Sequence, residues 1–172
     1  MISEFQHERH KPPTPLARPR ELIVACAPLR THVNLSRIAR ACGCFGIRRL
    51  IACGNAKVIG RIARDAVDAT RPDALQVEVH RTLRPVLFEL RSQGLRIVGL
   101  EQATGSRSLF QYTFPRAGVL VVGNERQGLT SEELAMVDDV IEIPVYGLPY
   151  AHNVATATAM ALYEYCRQYP EG

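Results

Sequence analysis

The sequence predicts an α/β domain: a mostly parallel sheet with helices on both faces. Strand-like and helix-like segments alternate from Leu22 onward, the pattern of strands joined by helical crossovers. Several of the strand-like runs, Gly118–Val122 above all, are apolar throughout, as strands buried on both faces are. The 172 residues suffice for one compact domain with its own core.

The elements follow in order. Leu22–Ala25 is a short apolar run, and Asn34–Cys44 carries Leu35, Ile38, Ala39 and Cys42 at helical spacing. Arg49–Ala52 reads as the second strand. Val58–Ala69 reads as a helix with Ile59, Ile62, Ala63 and Ala66 on one side. Val77–Val79 is strand-like, and Thr82–Ser92 is a helix ending near Gly94. Leu95–Leu100 and Gly118–Val122 are expected as buried strands. A short helix over Ser131–Val137, opened by Ser131, leads to a last strand at Val140–Ile143. His152–Arg167 is the closing helix, rich in small residues that permit close packing. Before all this, residues 1–20 hold four prolines, scattered charges and little apolar content, the composition of a flexible basic arm. The folded domain is expected over 21–172.

Composition narrows the function classes. No apolar run approaches the roughly 20 residues a membrane helix needs, and the N-terminus has no apolar signal core, so a cytoplasmic location is expected. Five cysteines without a CxxC pair imply reduced thiols and no zinc site; no metal is expected. Charge is uneven: 15 Lys/Arg face 7 Asp/Glu through Pro85, whereas 6 face 10 from Val86 onward. Nearly all the cations are arginines, whose planar fork suits phosphates, so the N-terminal half is a candidate nucleic-acid surface. In the arm, Arg9, Lys11, Arg18 and Arg20 are candidates for further phosphate contacts.

In open parallel sheets a ligand sits beyond the carboxyl ends of the strands. Neither GxGxxG nor GxxxxGK[ST] follows any strand here. The loops carry instead Glu101-Gln102-Ala103-Thr104-Gly105, Gly123-Asn124-Glu125-Arg126-Gln127-Gly128-Leu129, and Pro144 through Val154 with Tyr146-Gly147-Leu148-Pro149 and His152-Asn153. Strand ends with little side-chain bulk bring backbone polar groups to a ligand whose flat faces pack on apolar residues. Leu100, Gly123, Ile143 and Leu148 are the expected wall, with Glu101 and His152 beside them; Gly147 is expected to bend its loop with positive φ.

Together with His32–Arg40, these stretches resemble the SpoU (TrmH-type) family of RNA 2′-O-ribose methyltransferases in the SPOUT superfamily. The likeness runs from about Glu21 to Tyr169. It rests on the Asn34…Arg40 spacing, the Val-Gly-Asn-Glu-x-x-Gly-Leu pattern, and the Ile-Pro…Asn-Val pattern entering the last helix. The resemblance implies a C-terminal deep trefoil knot, a homodimer, and an S-adenosyl-L-methionine pocket in the knot near the subunit interface. It also implies an RNA substrate. Family members of this minimal size tend to act on tRNA, with rRNA the alternative.

The resemblance makes Arg40, Asn34, Glu125 and Asn153 the candidate catalytic residues. Arg40 follows Asn34 by six residues, about 120° away around a regular helix, so the two need not act as a pair. A guanidinium, with a pKa above about 12, is a poor base. Clamping a phosphate and stabilising negative charge on the attacking oxygen suits Arg40 better. Glu125 is a carboxylate able either to hold that arginine or the RNA, or to satisfy loop N–H groups. Asn153 is placed to cap the last helix and to bond the pocket backbone. The family's serines flanking this asparagine are absent, alanines standing at Ala151 and Ala155. His152 is a polar substitute able to accept a proton. That departure keeps a rival open: a protein that binds cofactor or RNA without catalysis.

Overall fold

The computed structural model describes residues 11–66 and 74–172. Residues 1–10 of the expected arm, Arg9 among them, and the end of the expected Val58–Ala69 helix beyond Ala66 lie outside the described residues.

Among the described residues the strands are β1 (Leu22–Cys26), β2 (Arg49–Cys53), β3 (Gln76–His80), β4 (Arg96–Leu100), β5 (Arg107–Ser108), β6 (Gly118–Val122) and β7 (Asp139–Glu142). They form one sheet in the order β3-β2-β1-β6-β4-β7-β5, and every pairing is parallel. The helices are α1 (His32–Cys44), α2 (Ala56–Ala66), α3 (Leu83–Ser92), α4 (Ser131–Leu134) and α5 (Val154–Gln168). β5 was not expected, since two residues carry no periodicity to read. α4 stops at Leu134 rather than Val137, and its cap is Thr130, which forms a reciprocal capping box with Glu133.

The strand period of two sorts the core onto both faces. Leu22, Val24, Cys26, Val98, Leu120 and Val122 point toward α1, α2 and α5, where they meet Ile38, Ile59 and Leu162. Ile23, Ala25, Ile97, Val119 and Val121 point the other way, onto Leu83, Val86, Leu87 and Leu90 of α3. Each of the valines, leucines and isoleucines among them contributes about 1.5–3 kcal/mol on burial. β1 and β6, buried along their whole length, pair with each other inside the sheet, so the loops leaving their carboxyl ends rest on its buried interior. Phe114, Tyr165 and Tyr169 close one end through edge-on and tilted ring contacts.

Part of the expected arm is tied down. Ala17 and Arg18 donate backbone N–H groups to the Glu171 carbonyl at 2.9 and 3.3 Å. Arg20 is buried; its Nη1 donates to the Tyr169 carbonyl at 2.5 Å and its guanidinium lies 5.9 Å from the Tyr165 ring centroid. Arg20 is therefore a packing residue, whereas Lys11 and Arg18 stay exposed. The five cysteines are free, and burial pushes the Cys42 and Cys53 thiols up to about 12, away from reactivity. No metal-binding cluster occurs among the described residues, and no described helix is long and apolar enough to cross a membrane.

Candidate active site

The carboxyl ends of β4, β6 and β7 open onto a cavity of about 380 Å³. That volume lies within the range of sites for small organic ligands. Its apolar wall comes from Leu100, Val122, Ile143, Val154 and Ala157. Its polar wall holds three carboxylates, Glu101, Glu125 and Glu142, against one cation, Arg126. The cavity thus suits a ligand with a flat apolar part and a positive charge.

The β6 loop is shaped by close backbone approach. Asn124 and Gly128 exchange backbone hydrogen bonds at 3.0 and 2.8 Å, and the Asn124 side chain accepts from Arg126 N–H at 2.9 Å while donating to the Pro28 carbonyl at 2.7 Å. Gly128 has φ of +63°, and any Cβ there would collide with the Glu101 carboxylate. That carboxylate accepts the N–H groups of Leu129 at 2.8 Å and Gln102 at 3.1 Å, tying the β4 loop to the β6 loop. Gly123 packs directly on the Gly128–Leu129 peptide, which leaves no room for a methyl group. Gly123→Ala is therefore expected to cost about 1–3 kcal/mol and to deform the cavity wall. A lowered melting temperature together with lost ligand uptake in calorimetry checks this.

Glu125 stands where β6 meets α1. Its carboxylate accepts from Arg30 N–H at 2.7 Å, Thr31 N–H at 3.1 Å, the Thr31 hydroxyl at 3.2 Å and Asn34 Nδ2 at 2.9 Å. A carboxylate only accepts, so it orients the Asn34 amide, whose Oδ1 then faces outward. Asn153 Nδ2 donates to that Oδ1 at 3.1 Å, leaving Asn153 Oδ1 to accept from Ala155 N–H at 2.9 Å and Thr156 N–H at 3.4 Å, the cap of α5. One polar chain, Glu125–Asn34–Asn153, thus joins the β6 loop to the N-termini of α1 and α5. Asn34 at its centre is only 6% exposed, so neither partner is easily replaced by water.

Partial burial works against charge on Glu125, but the hydrogen bonds from Arg30, Asn34 and Thr31 outweigh it and pull its pKa down to about 2. The group is ionised at any pH at which the protein works and is no proton acceptor there. Because the folded value lies below the ordinary value of 4.5, its contribution to stability is fully present above about pH 4.5 and is lost as pH falls toward 2. Glu125→Gln is expected to flatten the acid limb of the unfolding curve below pH 5 and, while lowering the rate, to leave the shape of the pH–rate profile between 6 and 9 unchanged, as measured by pH-jump melting and initial rates.

The structure brings together three of the four expected catalytic residues: Asn34, Glu125 and Asn153. Arg40 lies about 1.7 turns further along α1, on its exposed face and outside the cavity lining of its own protomer. Of the expected cofactor contacts, Leu100, Glu101, Gly123, Ile143 and His152 line the cavity. Leu148 does not: it is 76% exposed, because the middle of the Pro144–Ala151 loop turns Tyr146, Leu148 and Tyr150 outward at the rim. Gly147 has no positive φ. Gln102, Asn124 and Glu142 line the cavity without having been singled out; only Asn124, in a turn-forming Gly-Asn pair, carried a local signal.

A parallel α/β sheet with a ligand cleft at three neighbouring strand ends defines a ligand-binding enzyme domain of the doubly wound kind. The family model described as "SpoU rRNA Methylase family" matches residues 21–163, and the chain belongs to that family. It is 30% identical over 96% of its length to a mouse tRNA (guanosine(18)-2'-O)-methyltransferase, of which it spans 10%. It is 31% identical over 90% of its length to the Aquifex aeolicus tRNA (guanosine(18)-2'-O)-methyltransferase, of which it spans 72%. Among solved structures, the A. aeolicus TrmH/SpoU tRNA modifying enzyme superimposes with a TM-score of 0.76 at 29% identity, covering 91% of this chain and 79% of that one. The Streptomyces viridochromogenes SpoU methyltransferase AviRb, solved with the cofactor AdoMet, gives 0.73 at 22% identity over 91% and 63%, a likeness of fold.

Proposed function

We propose that this protein transfers the methyl group of S-adenosyl-L-methionine to a ribose 2′-hydroxyl of RNA, with tRNA as the favoured substrate. The observation that carries this reading is the carboxylate-walled cavity with the Glu125–Asn34–Asn153 chain on its rim. The donor set fits the cofactor: apolar Leu100, Ile143 and Val154 suit an adenine face, and the acidic wall suits a sulfonium and an ammonium. When bound, the cofactor supplies an electrophilic methyl group on a positively charged sulfur. The relatives named as tRNA methyltransferases support tRNA.

In this reading the protein contributes alignment and electrostatics. Glu101 and Gly128 hold the β6 loop in shape. Glu125 fixes the start of α1, and Asn34 passes that constraint to α5, so the cavity keeps one geometry. Arg40 clamps an RNA phosphate and offsets negative charge growing on the 2′-oxygen. Because Arg40 does not line its own cavity, it serves the cleft of a second copy in a homodimer. The exposed Tyr146, Leu148 and Tyr150, close to the cleft, support such an apolar interface. The C-terminal trefoil knot implied by the family likeness and the cytoplasmic location expected from composition belong to the same proposal, as does the division into an arm and a domain, with the boundary moved from residue 20 to before Ala17, since Ala17 and Arg18 bond Glu171 and Arg20 is buried.

The test combines calorimetric titration with S-adenosyl-L-methionine and methyl transfer to bulk tRNA and to rRNA. A 2′-O-methylated ribose resists alkaline cleavage, since its nucleophile is blocked. Alkali-resistant linkages in tRNA support the proposal, and linkages confined to rRNA move the substrate. Cofactor uptake without linkages in either RNA favours the non-catalytic reading that Ala151 and Ala155 motivate.

A further inference from the structure

We propose that a second cavity, at the carboxyl ends of β1 and β2, receives a single unstacked nucleobase of the RNA strand next to the methylated nucleotide. This rests on the RNA-methylation reading above and adds a base-reading site to it. The cavity measures about 200 Å³ and lies between the starts of α1 and α2. Its floor is apolar, from Leu29, Leu35 and Ile59, and its rim is polar, from Arg30, His32 and Asn55.

Three features favour a base. The apolar floor would desolvate a phosphate without compensation but accepts a flat heterocycle. The rim supplies a guanidinium and an imidazole, planar groups on which bases stack, and Arg30 makes no ion pair among the described residues, so it is also available to the flanking phosphate. Asn55 spends its Oδ1 on the N–H groups of Lys57 at 3.0 Å and Val58 at 3.3 Å, which leaves its Nδ2 as a directed donor.

Position supplies the link to the main cleft. Arg30 and Thr31, which line the second cavity, donate their backbone N–H groups to Glu125, which lines the first. One loop thickness therefore separates the two, and an RNA strand laid across that loop places one nucleotide in each. Flipped, single-stranded bases are what RNA-reading proteins recognise.

Two substitutions test the site. Val58 lines the cavity and is 39% exposed, so V58F fills the void from the solvent side. N55D keeps the helix cap while replacing the donor with a negative charge. Affinity for bulk tRNA, measured by filter binding without cofactor, is expected to fall about tenfold in each variant, while S-adenosyl-L-methionine uptake by calorimetry stays as in the parent protein. Tenfold losses confined to tRNA support the site even if no methyl transfer is found, in which case only the enzymatic reading fails. Binding of tRNA within twofold of the parent in N55D, or in a V58F variant that melts normally, overturns the proposal. So does a parent protein that takes up the cofactor but neither tRNA nor rRNA.

Discussion

Replacing Glu125 with alanine is expected to lower stability by about 3 kcal/mol and to reduce methyl transfer at least about a hundredfold. The variant loses acceptors for two backbone N–H groups, a hydroxyl and the Asn34 amide at once. Asn34 is then left buried with a donor unsatisfied, and its bond to Asn153 loses the partner that orients it. Glu125→Gln retains one acceptor but presents an NH₂ group to N–H donors, so it should fall between the parent and alanine. Denaturant unfolding and initial rates on tRNA provide the comparison. An alanine variant as stable as the parent would show that the chain from the β6 loop to α5 carries no weight.

Replacing Arg40 with alanine should act on rate alone. With the residue exposed and outside the cavity of its own protomer, cofactor affinity and melting temperature are expected to stay at parental values. The turnover number should fall about 10²–10³-fold, the scale of losing one charge-stabilising donor at a developing oxyanion. Lysine should rescue only in part, lacking the planar fork. Mixing the Arg40→Ala variant with a Gly123→Ala variant separates the two possible geometries. If Arg40 serves the partner's cleft, mixed dimers regain activity that neither variant has alone. A turnover number unaffected by Arg40→Ala removes the residue from the reaction.

Much of the architecture was legible in the residues themselves. The apolar runs at Leu22, Leu95 and Gly118 and the helical spacing of Leu35, Ile38 and Cys42 report burial directly, because strand and helix periods decide which side chains leave water. Caps such as Asn153 were also readable, being local chemistry between neighbours. Legibility failed where local pattern is weak or where distant segments meet. β5 is too short for a period, and Leu148 looked like pocket wall by its apolar character, although character says nothing about which way a rim loop turns its side chains.

Local pattern in the chain was enough to read every strand but β5, the helices to within a few residues, a mostly parallel sheet, and the meeting of the loops after Leu100, Val122 and Ile143 at one end. Which partners each polar residue meets there came from the packing of distant segments. That packing made Glu125 the anchor of α1 rather than the partner of an arginine, joined Asn34 to Asn153 across the fold, left Arg40 facing outward, and drew Arg20 from the arm into the core. The reason is range: periodicity is a property of adjacent residues, whereas a hydrogen-bond partner some 90 to 150 positions away is chosen by how the chain is packed.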